Sequence, residues 1–232
     1  MKIFLDSANA SEIRKWLDEG LVDGVTTNPS IMLNDGVYDL ERGARQIAEL
    51  ISPRPVSVEV TTNDHEEMLS QARTFSRWAL NIVVKIPVIN EFGVSSLRVV
   101  RRLEEEENIR VNVTACLSYG QATLAAKVGA TYVSIFAGRV SDEGHDASRL
   151  IRMTADWLTQ WGYKAEIIVG SIREAINIQD ASDAGAHIIT VPPQFLYKYV
   201  DHKYSRDTVR GFNADARKAL ERMGELRAQV KT

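Results

Sequence analysis

The sequence has one cysteine, few histidines, no long apolar run and no surplus of positive charge. A lone Cys116 excludes an intrachain disulfide and fits a reducing cytoplasm. No stretch of about 18 apolar residues occurs, so no membrane span is expected. The short apolar run in MKIFLD is soon followed by polar residues, which does not match a signal peptide. A formal net charge of −3 gives no overall attraction to nucleic acid or to an anionic membrane. We therefore expect a cytoplasmic protein without a nucleic-acid or membrane partner.

Short aliphatic runs alternate with amphipathic helical patterns along the chain, which is typical of a parallel sheet with helical crossovers. Eight such units in 232 residues favour an α/β fold closed into a (β/α)8 TIM barrel over an open doubly wound sheet. No proline- or glycine-rich linker interrupts the chain, so one domain is expected. The predicted strands are Ile3–Leu5, Gly24–Thr27, Val56–Val60, Ile82–Ile86, Arg110–Ala115, Tyr132–Phe136, Glu166–Val169 and His187–Val191.

The end of the chain reads differently from the barrel. We expect the barrel over residues 1–204 and a C-terminal helical extension of the same domain over residues 205–232. Ser205–Val230 mixes charged and apolar residues at helical spacing. It is either a solvated terminal helix or an arm that covers a site or a neighbouring subunit. The charge run Arg101–Glu107 is interpreted as a solvated helix face.

Polar residues gather at the carboxyl ends of the predicted strands, where active sites of such barrels lie. Some have structural explanations, since Asn28 before Pro29 would cap the next helix. Capping does not explain Glu59, Lys85 and Asn112 within apolar runs. The set comprises Asp6, Thr26, Thr27, Asn28, Glu59, Lys85, Asn112, Thr114, Ser134, Arg139, Ser171 and Arg173.

Lys85 is the one charged residue in the run NIVVKIPV. Because side chains alternate along a strand, Val83, Lys85 and Pro87 share a face, and the all-aliphatic opposite face should meet the helices. Lys85 is therefore predicted to point into the barrel. Desolvation there favours a neutral amine, which can attack a carbonyl and form a Schiff base. The alternative is a buried ion pair with Glu59 or Asp6.

Arg139, Ser171 and Arg173 follow the ends of two strands and are interpreted as an anion site. SIREA reads as a helix start, where backbone N–H groups favour phosphate. Two arginines would add charge-assisted hydrogen bonds. The alternative is that they pair with acids such as Asp142 or Glu174.

No metal site is expected. None of the four histidines is predicted at the carboxyl end of a strand, and the spacing in DEGHDAS is not a known zinc pattern. A glycine-rich dinucleotide fingerprint is also missing.

Several motifs in order carry a resemblance to a known family. They are FLDSA, GVTTNPS, VSVEV, VVKIP, NVT, SYGQA, GATYVSIFAGR, GSIR and HIITVP, spread over nearly the whole chain. TTNPS and VVKIP together are quite specific. The chain resembles the transaldolases, within the short single-barrel subgroup that includes fructose 6-phosphate aldolases. The resemblance implies the fold of class I aldolases.

The resemblance also implies roles. Lys85 matches the Schiff-base lysine and Asp6 the general acid/base, while Glu59 and Thr114 match the pair that holds the catalytic water. Substrate-binding residues are predicted to be Asn28, Thr27, Asn112, Ser134 and Phe136. The residues that match the phosphate site are Arg139, Ser171 and Arg173.

The implied activity is transfer of a dihydroxyacetone unit from fructose 6-phosphate or sedoheptulose 7-phosphate to an aldose phosphate. No cofactor is needed, because the iminium ion holds the carbanion. Glu59 and Phe136 stand where fructose 6-phosphate aldolases carry glutamine and tyrosine, which favours transfer over cleavage. Glu174 departs from the family, which often has histidine there, and so places a negative charge beside the predicted phosphate site.

Three alternatives stay open: an aldolase that releases dihydroxyacetone, a relative recruited to a specialised sugar pathway, and a catalytically idle barrel that binds sugar phosphates. Short members of the family usually form rings of subunits, often decamers, so the resemblance implies a homo-oligomer.

Overall fold

The computed structural model of the chain describes residues 1–229, and Val230–Thr232 of the predicted C-terminal extension lie outside the described residues. Within them, eight parallel strands close into a barrel in sequence order, with β8 paired to β1. This confirms the predicted TIM barrel. The strands are β1 Lys2–Asp6, β2 Gly24–Thr26, β3 Val56–Glu59, β4 Ile82–Pro87, β5 Val111–Cys116, β6 Tyr132–Phe136, β7 Glu166–Gly170 and β8 Ile188–Val191.

Helices follow the strands as the alternation predicts, and a five-residue π-helical segment, Arg102–Glu106, follows α5. Several helix starts carry an Asn, Asp or Ser side chain that accepts from the first-turn N–H groups, as capping requires. The helices are α1 Ala10–Asp18, α2 Pro29–Asn34, α3 Leu40–Ile51, α4 His65–Ser76, α5 Leu97–Arg101, α6 Tyr119–Lys127, α7 Ala137–Asp142, α8 Ala147–Trp161, α9 Ile176–Asp183, α10 Pro193–Val200 and α11 Lys203–Gln229.

The predicted strands are all present, and their ends differ from the prediction by at most one residue. The interpretation of Arg101–Glu107 as a solvated face is partly wrong. Glu104 Oε1 accepts from the backbone N–H of Val111 at 2.7 Å and of Thr131 at 2.6 Å. Because these N–H groups open β5 and precede β6, this carboxylate ties the helical segment to the barrel.

A cluster of five buried side chains fills the barrel interior toward the amino-terminal end of the strands. Two of its rings meet edge to face, with centroids 6.0 Å apart. The ring of Phe4 also lies against Gly24, where an added Cβ would come within 2.6 Å of it. This end of the barrel is therefore packed rather than open. The cluster, here called the apolar layer, consists of Phe4, Val83, Tyr132, Ile168 and Ile188.

Residues 1–193 form one compact unit, and a second unit begins at Gln194. The predicted boundary between residues 204 and 205 remains a prediction. In the second unit, α11 carries exposed apolar side chains whose spacing places them on one face of the helix. They are Val209, Phe212, Leu220, Met223 and Leu226. Among residues 1–229, no helix is long and apolar enough to cross a membrane.

Candidate active site

Two residues beyond the apolar layer, the same five strands turn polar or small inside the barrel. Residues i and i+2 of a strand face the same side, so Phe4 is followed by Asp6 and Val83 by Lys85. These residues line a cavity of about 170 Å³ at the carboxyl ends of the strands, here called the lysine cavity. The five residues, here called the polar layer, are Asp6, Lys85, Ser134, Gly170 and Thr190.

Lys85 points into the barrel, and only 5% of its side chain is exposed. Its Nζ lies 3.2 Å from Glu59 Oε2 and donates to the backbone oxygen of Thr27 at 3.2 Å. The register of β3 and β4 places Glu59 directly opposite Lys85. The ion pair considered from the sequence therefore exists. The ion pair is also compatible with the predicted Schiff-base role of Lys85, because a carboxylate at this distance can accept the ammonium proton and release the amine.

Asp6 faces the same cavity with a hydrogen-bonded carboxylate. Thr26 Oγ1 donates to Asp6 Oδ1 at 2.6 Å, and the hydroxyls of Thr26 and Thr190 are hydrogen-bonded to each other. Burial raises the pKa of the Asp6 carboxyl above its usual range, although the Lys85 charge and the Thr26 hydrogen bond lower it in part. A carboxyl shifted toward neutral pH suits a group that must take up and return a proton.

Ser134 is held from behind by a buried chain of polar groups. Its Oγ donates to Asn112 Oδ1 at 2.7 Å, and Asn112 Nδ2 donates to Ser57 Oγ at 3.1 Å. Asn112 and Ser57 are buried completely. Of the three, only Ser134 is among the residues that line the lysine cavity. In this structure Asn112 thus fixes the orientation of the Ser134 hydroxyl rather than lining the cavity itself.

Thr27 and Thr114 lie beside the lysine cavity rather than in its wall. Thr27 Oγ1 donates to Ser57 O at 2.8 Å, so Thr27 reaches Lys85 through its carbonyl group alone. Thr114 Oγ1 is buried, and it has no hydrogen-bond partner among the described residues. It lies where β5 is irregular, next to Ala115, whose φ is 58°. A buried hydroxyl without a partner is destabilising, so its presence needs an explanation. Because its hydrogen-bonding capacity is unused, it can bind a reacting group.

Asn28 caps a helix and also lies in the wall of the lysine cavity. Its Oδ1 accepts from the N–H of Ile31 at 2.8 Å and so caps α2. The residue also lines the lysine cavity. Capping uses the carbonyl oxygen, which leaves the amide N–H groups to bind a ligand.

The predicted anion-binding residues line the same cavity as Lys85. Arg139 lies on α7, whereas Ser171 and Arg173 lie in the loop after β7. Ser171 adopts a φ of 60°, a conformation that is costly for serine and is common at functional sites. The predicted helix start at SIREA is wrong, because α9 begins at Ile176. The loop is instead closed by Asn177 Oδ1, which accepts from two backbone N–H groups.

Eight of the predicted site residues therefore share one cavity: Asp6, Asn28, Lys85, Ser134, Phe136, Arg139, Ser171 and Arg173. Sequence reasoning missed Gly170 and Thr190, and it chose Thr27 over Thr26 as a site residue. The signal was present. Counting every second residue from the inward Ile168 and Ile188 would have found Gly170 and Thr190, and counting from Gly24 would have favoured Thr26 over Thr27.

A family model described as Transaldolase/Fructose-6-phosphate aldolase matches residues 3–232. A probable transaldolase of Dehalococcoides mccartyi is 40% identical over 215 residues, which are 93% of this chain and 97% of the relative. A probable transaldolase of Lactiplantibacillus plantarum is 41% identical over 93% of this chain and 96% of its own length. One of Anaeromyxobacter sp. is 38% identical over 96% of this chain and all of its own length.

Solved structures resemble the chain at much lower identity. A mandelate oxidase mutant superposes with a TM-score of 0.58 at 13% identity, over 82% of this chain and 63% of that protein. A cube-shaped porous cage, designed by fusing symmetric oligomeric domains, superposes with a TM-score of 0.57 at 13% identity, over 99% of this chain and 81% of that protein. At such identity the likeness shows the fold alone.

Proposed function

The chain belongs to the transaldolase/fructose-6-phosphate aldolase family, and from that premise we propose that it transfers a dihydroxyacetone unit between phosphorylated sugars. The donor is a ketose phosphate, fructose 6-phosphate or sedoheptulose 7-phosphate, and the acceptor is an aldose phosphate. One observation carries the proposal. The buried Lys85 amine lies 3.2 Å from Glu59, in one cavity with Asp6 and two arginines.

The first stage forms the Schiff base. Glu59 takes the proton of the Lys85 ammonium group, and the free amine attacks the ketose carbonyl carbon C2. The carbinolamine then loses its hydroxyl as water, with the proton returned from Glu59. Thr114 holds that water through its unpaired Oγ1. The product is an iminium ion between C2 and Lys85 Nζ.

The second stage breaks and remakes a carbon–carbon bond. Asp6 takes the proton of the C4 hydroxyl, the C3–C4 electron pair moves toward the iminium, and an aldose phosphate leaves. The enamine then attacks the aldehyde carbon of the acceptor, and Asp6 returns its proton to the new hydroxyl. Hydrolysis of the iminium frees Lys85. Since the iminium takes up the electrons, the reaction needs no cofactor.

The ends of the substrate are held by different groups. The dihydroxyacetone unit lies against Asn28 and Ser134, beside Phe136, whose ring centroid is 6.0 Å from Lys85 Nζ. The phosphate lies between Arg139, Ser171 and Arg173, where guanidinium groups give charge-assisted hydrogen bonds. Because the cavity that contains Lys85 also reaches both arginines, one sugar phosphate can contact Lys85 with its carbonyl carbon and the arginines with its phosphate.

The test is mass spectrometry of the intact protein after incubation with fructose 6-phosphate and sodium borohydride. We expect a reduced dihydroxyacetone adduct that peptide mapping assigns to Lys85. Incubation with borohydride alone is the control. Absence of an adduct with fructose 6-phosphate and with a panel of other ketose phosphates would support the idle barrel instead.

Transfer and cleavage share this intermediate, so a separate experiment distinguishes them. We expect slow release of free dihydroxyacetone without an acceptor and fast transfer when an aldose phosphate is added. Glu59→Gln combined with Phe136→Tyr is expected to shift the balance toward cleavage. An unchanged ratio of transfer to cleavage would refute the assignment of these two positions.

We also infer that the protein forms a homo-oligomer, such as a ring of ten subunits. The exposed apolar face of α11 supports this, because a contiguous exposed apolar face commonly marks an interface. Light scattering gives the molar mass in solution, and a monomer of 25.9 kDa would refute the inference.

A further inference from the structure

The two arginines at the proposed phosphate site differ in their partners. Arg173 Nη2 donates to Asp142 Oδ2 at 3.0 Å. Arg139, on the same helix as Asp142, has no carboxylate partner within residues 1–227. One arginine is therefore available to an anion, and the other already holds a counter-ion of the protein itself.

The stem of Arg173 passes close to α7 at Gly138. A Cβ added at Gly138 would lie 2.8 Å from Arg173 Cγ and would clash with the backbone oxygen of Ser171. The loop that carries Ser171 and Arg173 thus lies directly against α7. Asp142 comes four residues after Gly138, about one helical turn further along α7. Packing at Gly138 thus brings the guanidinium group within reach of Asp142.

From this arrangement we propose that Asp142 competes with the substrate phosphate for Arg173 and thereby sets the affinity of the site for phosphate. The proposal rests on the proposed function, in which this cavity binds sugar phosphates. Both side chains are more than half exposed, so water weakens their pairing and a dianion can displace the carboxylate. Removing the carboxylate therefore removes a negative charge that competes with phosphate and repels it.

Such a counter-ion suits a transfer reaction. The first aldose phosphate must leave before the second can enter, and both use the same phosphate site. Very tight binding of phosphate would slow that exchange, since dissociation rates fall as affinity rises. Asp142 keeps Arg173 neutralised whenever the site is free of phosphate, so each departing product is replaced at Arg173 by the carboxylate.

The test is a calorimetric titration of the full-length protein with inorganic phosphate at fixed ionic strength. Asp142→Asn is expected to bind phosphate about threefold more tightly than the unmodified protein, the size of effect typical of an exposed charge pair. The matched control is Glu143→Gln, which removes the neighbouring negative charge. Glu143 forms no ion pair within residues 1–227, so this variant should leave the dissociation constant unchanged.

Two further readouts separate competition from a general effect of charge. In a protein that already carries Arg173→Met, adding Asp142→Asn should no longer change phosphate affinity. In steady-state kinetics, Asp142→Asn should lower KM for fructose 6-phosphate about threefold and leave KM for unphosphorylated fructose unchanged.

Several results would overturn the proposal. Weaker or unchanged phosphate binding by Asp142→Asn would show that the carboxylate orients Arg173 or does nothing. An equal effect of Glu143→Gln would show that any nearby negative charge weakens phosphate binding, without competition for Arg173. Phosphate affinity that is insensitive to Arg173→Met would show that Arg173 does not bind phosphate. Because the titration needs no turnover, these outcomes are distinct from a failure to trap the Lys85 adduct, which concerns the Schiff base alone.

Discussion

The apolar layer and the polar layer of the barrel interior lie on the same five strands, two residues apart, and have opposite chemistry. In the first layer, buried rings and aliphatic chains meet one another, as Phe4 and Tyr132 do edge to face. In the second, the polar side chains meet polar or charged partners, as Lys85 meets Glu59 and Asp6 meets Thr26. A shift of two residues along a strand thus separates packing from chemistry.

The two layers contribute differently to the free energy of folding. Complete burial of a large apolar side chain stabilises a fold by about 1.5–3 kcal/mol. The polar layer holds destabilising features instead, such as the partly buried Asp6 carboxyl, and nearby the Thr114 hydroxyl has no partner among the described residues. Substitutions in the two layers should therefore affect different properties: stability in the apolar layer and turnover in the polar layer.

The largest effect is expected at the centre of the polar layer. Lys85→Met should lower kcat/KM for transfer by about a thousandfold or more, because in the proposed mechanism no other group replaces Lys85 as the nucleophile. Circular dichroism should show an unchanged fold. Lys2→Met, which alters an exposed lysine at the opposite end of the barrel, is the control and should keep its turnover. Normal turnover of Lys85→Met would refute the covalent mechanism.

The next effect lies in the apolar layer. Phe4→Ala should lower the free energy of unfolding by about 3–5 kcal/mol, because it leaves a cavity against Gly24 and Tyr132. Turnover per folded molecule should change little. Urea denaturation measures the loss, and Phe92→Ala, at a ring that is 74% exposed, is the control. A loss of activity in Phe4→Ala that exceeds its loss of folded protein would contradict the separation of the layers.

Asp6→Asn connects the two properties. Its activity should fall, while its stability at neutral pH should rise. Since burial raises the pKa of Asp6 in the folded state, the folded protein holds this proton more tightly than the unfolded chain, and ionisation destabilises the fold as pH rises. The gain should therefore disappear as pH falls below the usual pKa range of a carboxyl group. Thermal melting at several pH values measures it.

The control for that experiment is Asp18→Asn on the exposed end of α1, which should show no comparable gain. A destabilised Asp6→Asn at neutral pH would mean that attraction to Lys85 outweighs the cost of burial, contrary to the direction expected for the Asp6 pKa.

The smallest effect is expected from Thr26→Val. The Thr26 hydroxyl stabilises the Asp6 carboxylate, so its removal should raise the pKa of Asp6 further. The acidic limb of the pH profile of kcat/KM should then move to higher pH, with little change at the plateau. Thr190→Val, which removes only the partner of Thr26, should produce a smaller movement. A shift to lower pH would show that Asp6 does not control this limb.

Much of this could be predicted from the sequence because periodicity is a local property. The strands, the inward direction of Lys85 and the strand-end position of the site all follow from apolar runs, alternation and the rule for parallel barrels. The run VVKIP is informative for this reason: a lysine at an inward position is too costly to occur without a partner or a function.

The tertiary structure decided what depends on distances between strands and loops. Pairing of neighbouring strands placed Glu59 opposite Lys85 and brought Asn112 to Ser134, and the Thr114 hydroxyl has no partner among the described residues. The approach of a loop to Gly138 brought Arg173 to Asp142. Residue types and spacing determined which groups enter the barrel, but only the three-dimensional packing decided which of them meet, because partner choice depends on ångström distances between residues far apart in the chain.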